Sequence, residues 1–180
     1  MKTAAAIGLI LLLAMCQNKS PYEREMASIA SLQVAIDSAI AATHRIDTSM
    51  IRNSERKWSE KLDLILNSFK DGSDSIPDSL HSLLTAYRQG IAHAAWTTDH
   101  TALLLQELVL TRNQLDNLYH DLAYNLLDAK NVKKAYDAEC TAADSALARA
   151  EYLRETAEEV LVRPEIETGI DHVLEQLKTN

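Results

Sequence analysis

The run Leu104-Leu105-Gln106-Glu107-Leu108-Val109-Leu110-Thr111-Arg112-Asn113-Gln114-Leu115-Asp116-Asn117-Leu118-Tyr119-His120-Asp121-Leu122 decides the fold. Within it Leu104, Leu108, Thr111, Leu115, Leu118 and Leu122 step alternately by four and three residues. Steps averaging 3.5 residues keep side chains on one stripe of an α-helix, and a leucine stripe is stable only against another helix. The pattern is lost at Tyr124-Asn125, and Asp128 is placed to cap the next helix. From Ala129 to Val162 a second seam, Tyr136, Cys140, Ala143, Leu147, Ala150, Leu153 and Ala157, is made largely of small residues. Small side chains let a leucine-faced neighbour approach closely. Asp99–Tyr124 against Ala129–Val162 is therefore predicted to be an antiparallel helical hairpin.

Upstream, Pro77-Asp78 opens a helix whose stripe is Leu80, Leu84, Tyr87, Ile91 and Ala94, with Gly90 weakening it by about 1 kcal/mol. At Trp96-Thr97-Thr98-Asp99 that helix either breaks, with Thr98 capping a new one, or runs straight through. The first helix starts at Ser20-Pro21-Tyr22-Glu23, where Ser20 suits the cap, Pro21 the first turn and Glu23 the capping box. Its stripe is Ile29, Leu32, Ile36, Ala39, Thr43, Ile46 and Met50. The stripe then moves by one residue to Ile51, Trp58, Leu62, Ile65 and Phe69. A phase change of this kind predicts a kink or short break, placed near Asn53 in the polar run between the two stripes. Asp71-Gly72 ends the helix, Ser73 to Ile76 is loop, and Arg163-Pro164 separates a last short helix with Ile166, Ile170, Val173 and Leu177 inward.

No stretch alternates with the two-residue period of a strand. Four glycines, three prolines and one phenylalanine in 180 residues leave few turns. The expected fold is all-α: an elongated, coiled-coil-like antiparallel bundle of about four to six helices. An unbroken helix from Pro21 to Lys70 would reach about 75 Å at 1.5 Å per residue. The chain from residue 16 to 180 is expected to form one domain.

Residues 1–15 read as a removable signal. Lys2 precedes an apolar run from Ala4 to Met15, and polar Gln17-Asn18-Lys19-Ser20 comes after it. That run is well short of the ~20 residues that a spanning helix needs. Leu13-Ala14-Met15-Cys16 resembles the lipobox of bacterial lipoproteins, with Met15 departing from the usual small residue. The resemblance implies cleavage before Cys16 and lipidation of Cys16. Gln17 is not the aspartate that resembles an inner-membrane retention signal, so the expected location is the cell envelope, on the periplasmic face of the outer membrane. Loss of Lys2 takes the net charge from −8 to −9. An acidic chain repels nucleic acid and anionic headgroups, so no nucleic-acid partner is expected. With Cys16 acylated, Cys140 is left alone and is expected to be a buried, inert thiol.

Chemical motifs are sparse. The sequence holds no phosphate-binding glycine loop, no Gly-x-Ser-x-Gly elbow, no Cys-x-x-Cys and no Glu-x-x-His; the nearest, Asp78-Ser79-Leu80-His81, occurs once. His93 and His100, seven apart, would share a helix face with Asp99 and Trp96 nearby, and Asp116 lies one turn before His120. Bound metal or haem would require these histidines to converge with a third ligand; otherwise they lie on a polar face. Arg52, Arg56, Lys57 and Lys61 make a small basic face, interrupted by Glu55 and Glu60, that is either solvated or meets an acidic partner.

Two resemblances bear on function. Thr111 to Leu122, then Tyr136 with Glu139, then Pro164-Glu165-Ile166-Glu167, resemble small uncharacterised helical bacterial lipoproteins; this implies a lipidated helical protein and carries no known activity. Leu110-Thr111-Arg112-Asn113-Gln114 resembles the Leu-Thr-x-x-Gln signature of periplasmic stress chaperones. The expected function is a non-enzymatic, lipid-anchored interaction or assembly module, without a cofactor, that binds another envelope protein or itself through helix faces. The alternative is a periplasmic binding protein, either chaperone-like or a histidine-based metal or haem binder.

Overall fold

The computed structural model describes residues 20–70, 78–161 and 164–179. Cys16, the apolar leader and the Asp71-Gly72 stop lie outside the described residues. Within them the regular structure is five helices without strands: α1 Glu23–Thr43, α2 Thr48–Lys70, α3 Asp78–Ala123, α4 Ala129–Leu161 and α5 Pro164–Thr179. They pack antiparallel in an elongated bundle. The 46-residue α3 is its spine, about 69 Å long at 1.5 Å per residue.

Two cores lie end to end along that spine. In the basal lobe α1 and α4 pack on the C-terminal half of α3, burying Ile29, Ile36, Leu108, Leu115, Leu122, Ala143, Ala146 and Leu153. In the apical lobe α2, α5 and the last turns of α4 pack on its N-terminal half, burying Ile51, Trp58, Ile65, Leu84, Tyr87, Val160 and Ile170. Ile46, in the α1–α2 connection, touches both cores. The expected hairpin is present as α3 against α4. Asp128 caps α4 as expected, its Oδ1 accepting the Asn131 N–H at 2.9 Å.

Two local expectations are corrected and one open choice is resolved. The break falls at His44–Asp47 rather than near Asn53, which lies inside α2. There the Arg45 and Ile46 amides bond back to the Ala42 and Thr43 carbonyls, and Asp47 Oδ1 accepts the Met50 N–H at 2.9 Å to start the next helix. Met50, expected in the stripe, is 54% exposed because the chain has already turned. At the other end, α1 has Tyr22 as its N-cap without a side-chain bond. Ser20 Oγ instead accepts the Tyr22 N–H and donates to the Leu122 carbonyl at 3.0 Å, tying the entry of α1 to the end of α3. Finally, α3 does not break at Thr98. Thr98 caps nothing, its hydroxyl having no hydrogen-bond partner among the described residues, while its neighbours Thr97 and Thr101 donate to the carbonyls of His93 and Thr97 within the helix.

Candidate functional site

On α3, residues Trp96, His100, Leu103, Glu107 and Leu110 recur every 3.5 residues beside the buried leucine stripe. The Ala-rich seam of α4 brings that helix close enough to complete the surface with Arg149 and Tyr152. The Trp96 and His100 rings stack with centroids 4.5 Å apart and planes at 21°. Tyr152 meets the other side of Trp96 edge-on at 5.1 Å. His100 Nδ1 donates to the Trp96 carbonyl at 2.8 Å, which fixes the ring against the indole. Arg149 bonds Glu107 in a bidentate ion pair across the two helices. These groups line a groove of about 130 Å³. Leu103, Leu110 and Tyr152 remain 61%, 58% and 53% exposed. The result is an aromatic and aliphatic shelf with a fixed ion pair at its edge, suited to receiving apolar side chains of another surface. A second groove of about 450 Å³ runs between α1 and α4, lined mainly by alanines with Arg154 and Glu151 at one end.

The histidine candidates are not brought together. His93 faces α4, where its Nδ1 lies 3.3 Å from Glu159. His100 belongs to the aromatic stack, and His120 lies near the end of α3 against Tyr124, with ring centroids 4.5 Å apart. No cluster of three His, Cys, Asp or Glu side chains able to hold a metal occurs among the described residues. Within the basic face, Arg56 pairs with Glu60 at 4.0 Å and Lys61 with Asp171 at 2.6 Å, so Lys61 joins α2 to α5. Cys140 is partly exposed rather than buried. Burial still pushes its thiol pKa up, against a lowering hydrogen bond from Tyr136, so the unreactive protonated form is favoured.

The apical lobe holds a polar cluster that the sequence did not indicate. Trp58 Nε1–H donates to Glu167 Oε1 at 2.6 Å, across 109 residues of chain. Tyr87 packs against Trp58 at 6.1 Å, and its hydroxyl has no hydrogen-bond partner among the described residues. Burial raises the Tyr87 pKa well above that of an ordinary phenol, with Glu167 and Asp171 adding to the effect.

Comparison with known proteins finds no matching family model, curated protein or solved structure. The likeness to helical lipoproteins therefore identifies no family. Residues 4–15 form an apolar N-terminal stretch fit for a signal sequence or membrane anchor. Among the described helices α1 alone is long and apolar enough to cross a membrane. One stripe of it packs into the bundle, although most of its apolar stretch is not buried and Val34 is 67% exposed. Ile29 and Ile36 are fully buried, Asp37 pairs with Arg112 of α3 at 3.0 Å, and Gln33 bonds Asp116 of α3 at 2.8 Å.

Proposed function

We propose that this protein is a non-enzymatic interaction module, held at the periplasmic face of the outer membrane by lipid on Cys16, that binds a helix of another envelope protein on the α3–α4 shelf. The observation that carries the reading is the shelf itself. Trp96, Leu103 and Tyr152 line one apolar groove beside a positioned ion pair, and aromatic side chains of this kind dominate protein–protein hot spots. The leader and Leu13-Ala14-Met15-Cys16 support the lipid anchor.

Affinity capture from detergent-solubilised envelopes tests the proposal, with Leu103→Asp/Tyr152→Ala as its control. Both side chains are more than half exposed, so the variant should fold. A partner retained by the native chain and lost by the variant is the expected result. A strictly monomeric protein that retains nothing would refute it. The intact mass of the extracted protein reports acylation of Cys16 independently.

A further inference from the structure

Three features meet at the basal end of the bundle. The first is the exit of the chain: Ser20 is hydrogen-bonded to the last turn of α3 through the Leu122 carbonyl. The second is the neighbouring α3–α4 turn. Asn125 sits in the left-handed region at φ 52°, and the Leu126 N–H bonds the Asp121 carbonyl at 2.9 Å. This geometry closes α3 and leaves Tyr124 and Leu126 projecting, 67% and 61% exposed. The third is distance. Ser20 follows Cys16 by four positions in the sequence, a span of at most about 14 Å when extended.

We propose that the α3–α4 turn is a membrane-contact element, with Tyr124 and Leu126 entering the headgroup–acyl boundary of the bilayer that holds the N-terminal anchor. The proposal rests on the lipid-anchor reading above and adds a second point of attachment. A tether this short keeps the turn beside the bilayer at high effective concentration, so a lipid surface is the occupant that the chain itself brings to this patch. The chemistry fits: a tyrosine ring has an apolar body and a polar tip suited to the headgroup level, and leucine suits the acyl edge. Charges around the turn balance, Asp121, Asp128 and Asp137 against Lys130, Lys133 and Lys134, with Lys133 paired to Asp137. The contact is therefore apolar and does not depend on anionic lipid. One lipid anchor alone lets the bundle swivel, whereas an anchor plus an inserted turn sets its orientation.

The test uses the full chain expressed with its own leader, extracted in detergent and reconstituted into phosphatidylethanolamine–phosphatidylglycerol vesicles. An environment-sensitive fluorophore is placed on Leu126→Cys or, as a control in the apical lobe, on Asn53→Cys, each in a Cys140→Ala background. The expected result is a blue shift at position 126, with loss of emission when a lipid-borne quencher is added, and neither change at position 53. Equal water exposure at the two positions in vesicle-bound protein overturns the contact, whatever holds the chain there. A blue shift at 126 that persists without lipid and grows with protein concentration assigns the patch to self-association and also overturns it. The N-terminal mass judges the anchor separately: an acylated chain with a water-exposed 126 leaves the lipid-anchor reading standing. A bare Cys16 with no vesicle binding removes both.

Discussion

The two halves of α3 belong to one continuous helix yet are packed in opposite ways. In the basal lobe, fully buried Leu108, Leu115 and Leu122 meet Ala143 and Ala146, so large side chains interlock with small ones across a hairpin joined by a short turn. In the apical lobe, large side chains meet large ones, Trp58 against Tyr87, and two polar ties to α5 close the core: Trp58 to Glu167 and Lys61 to Asp171. The basal core joins the α3–α4 hairpin to α1, which reaches it across 83 residues of chain at the Gln33–Asp116 bond. The apical core waits for a 16-residue helix that arrives from the end of the chain. A helix of this length draws most of its stability from packing its apolar face. One spine thus carries a lobe in which large side chains interlock with small ones and a lobe in which large side chains meet and polar contacts to α5 close the core.

The sharpest test of this difference is Trp58→Ala. Removing a buried tryptophan costs about 3–5 kcal/mol. In hydrogen exchange, α2 and α5 should lose protection while α1 and the basal part of α4 keep theirs, as expected if the lobes open separately. Equal loss along the whole spine would break the comparison. Next in size is Glu167→Ala, which leaves the indole N–H without its charged acceptor and should cost about 1.5–3 kcal/mol in a denaturant titration. Loss of protection confined to α5 and its contacts would show that this bond, rather than general apolar burial, seats the helix.

The basal lobe is best probed by overfilling it. Ala143 is fully buried in the small-residue seam of α4. Ala143→Leu should therefore destabilise by about 1–3 kcal/mol, although leucine is the better hydrophobe. An increase in stability would mean that the small seam is loosely packed, and the contrast with the apical lobe would fail.

These lobes also mark how far the sequence could be read. The 3.5-residue stripes were legible because side chains that set the period, Leu104 to Leu122 and Ile51, Trp58 and Ile65, are the ones that are buried. The break at His44–Asp47 was hidden because apolar steps continue across it through Thr43, Ile46 and Met50, although Asp47 carries the cap. Trp96 and His100 could be placed as neighbours on a helix by their spacing of four. Tyr152 could not be joined to them, since cross-helix register has no local signal. The Trp58–Glu167 bond and the orphaned Tyr87 hydroxyl were invisible for the same reason: each depends on how α2, α3 and α5 meet.

The smallest effect concerns that hydroxyl. Tyr87 is 2% exposed, and its oxygen has no hydrogen-bond partner among the described residues. Tyr87→Phe keeps the ring against Trp58 and removes a polar atom that gains nothing from burial, so stability at neutral pH should stay within about 1 kcal/mol or rise slightly. The clearer signature is in pH. The folded-state pKa is raised, first by burial and then by Glu167 and Asp171, above the ordinary value of 10.0. Above that value the unfolded chain ionises at this residue while the folded chain holds its proton. Stability is therefore complete below about pH 10 and falls as pH rises from there towards the folded-state value. Thermal unfolding of the native chain and of Tyr87→Phe across the alkaline range should show a steeper decline in the native chain, with the difference centred on the apical lobe. Parallel declines would mean that the phenol reaches water or a partner in the folded protein, and that the apical core is less closed than its packing implies.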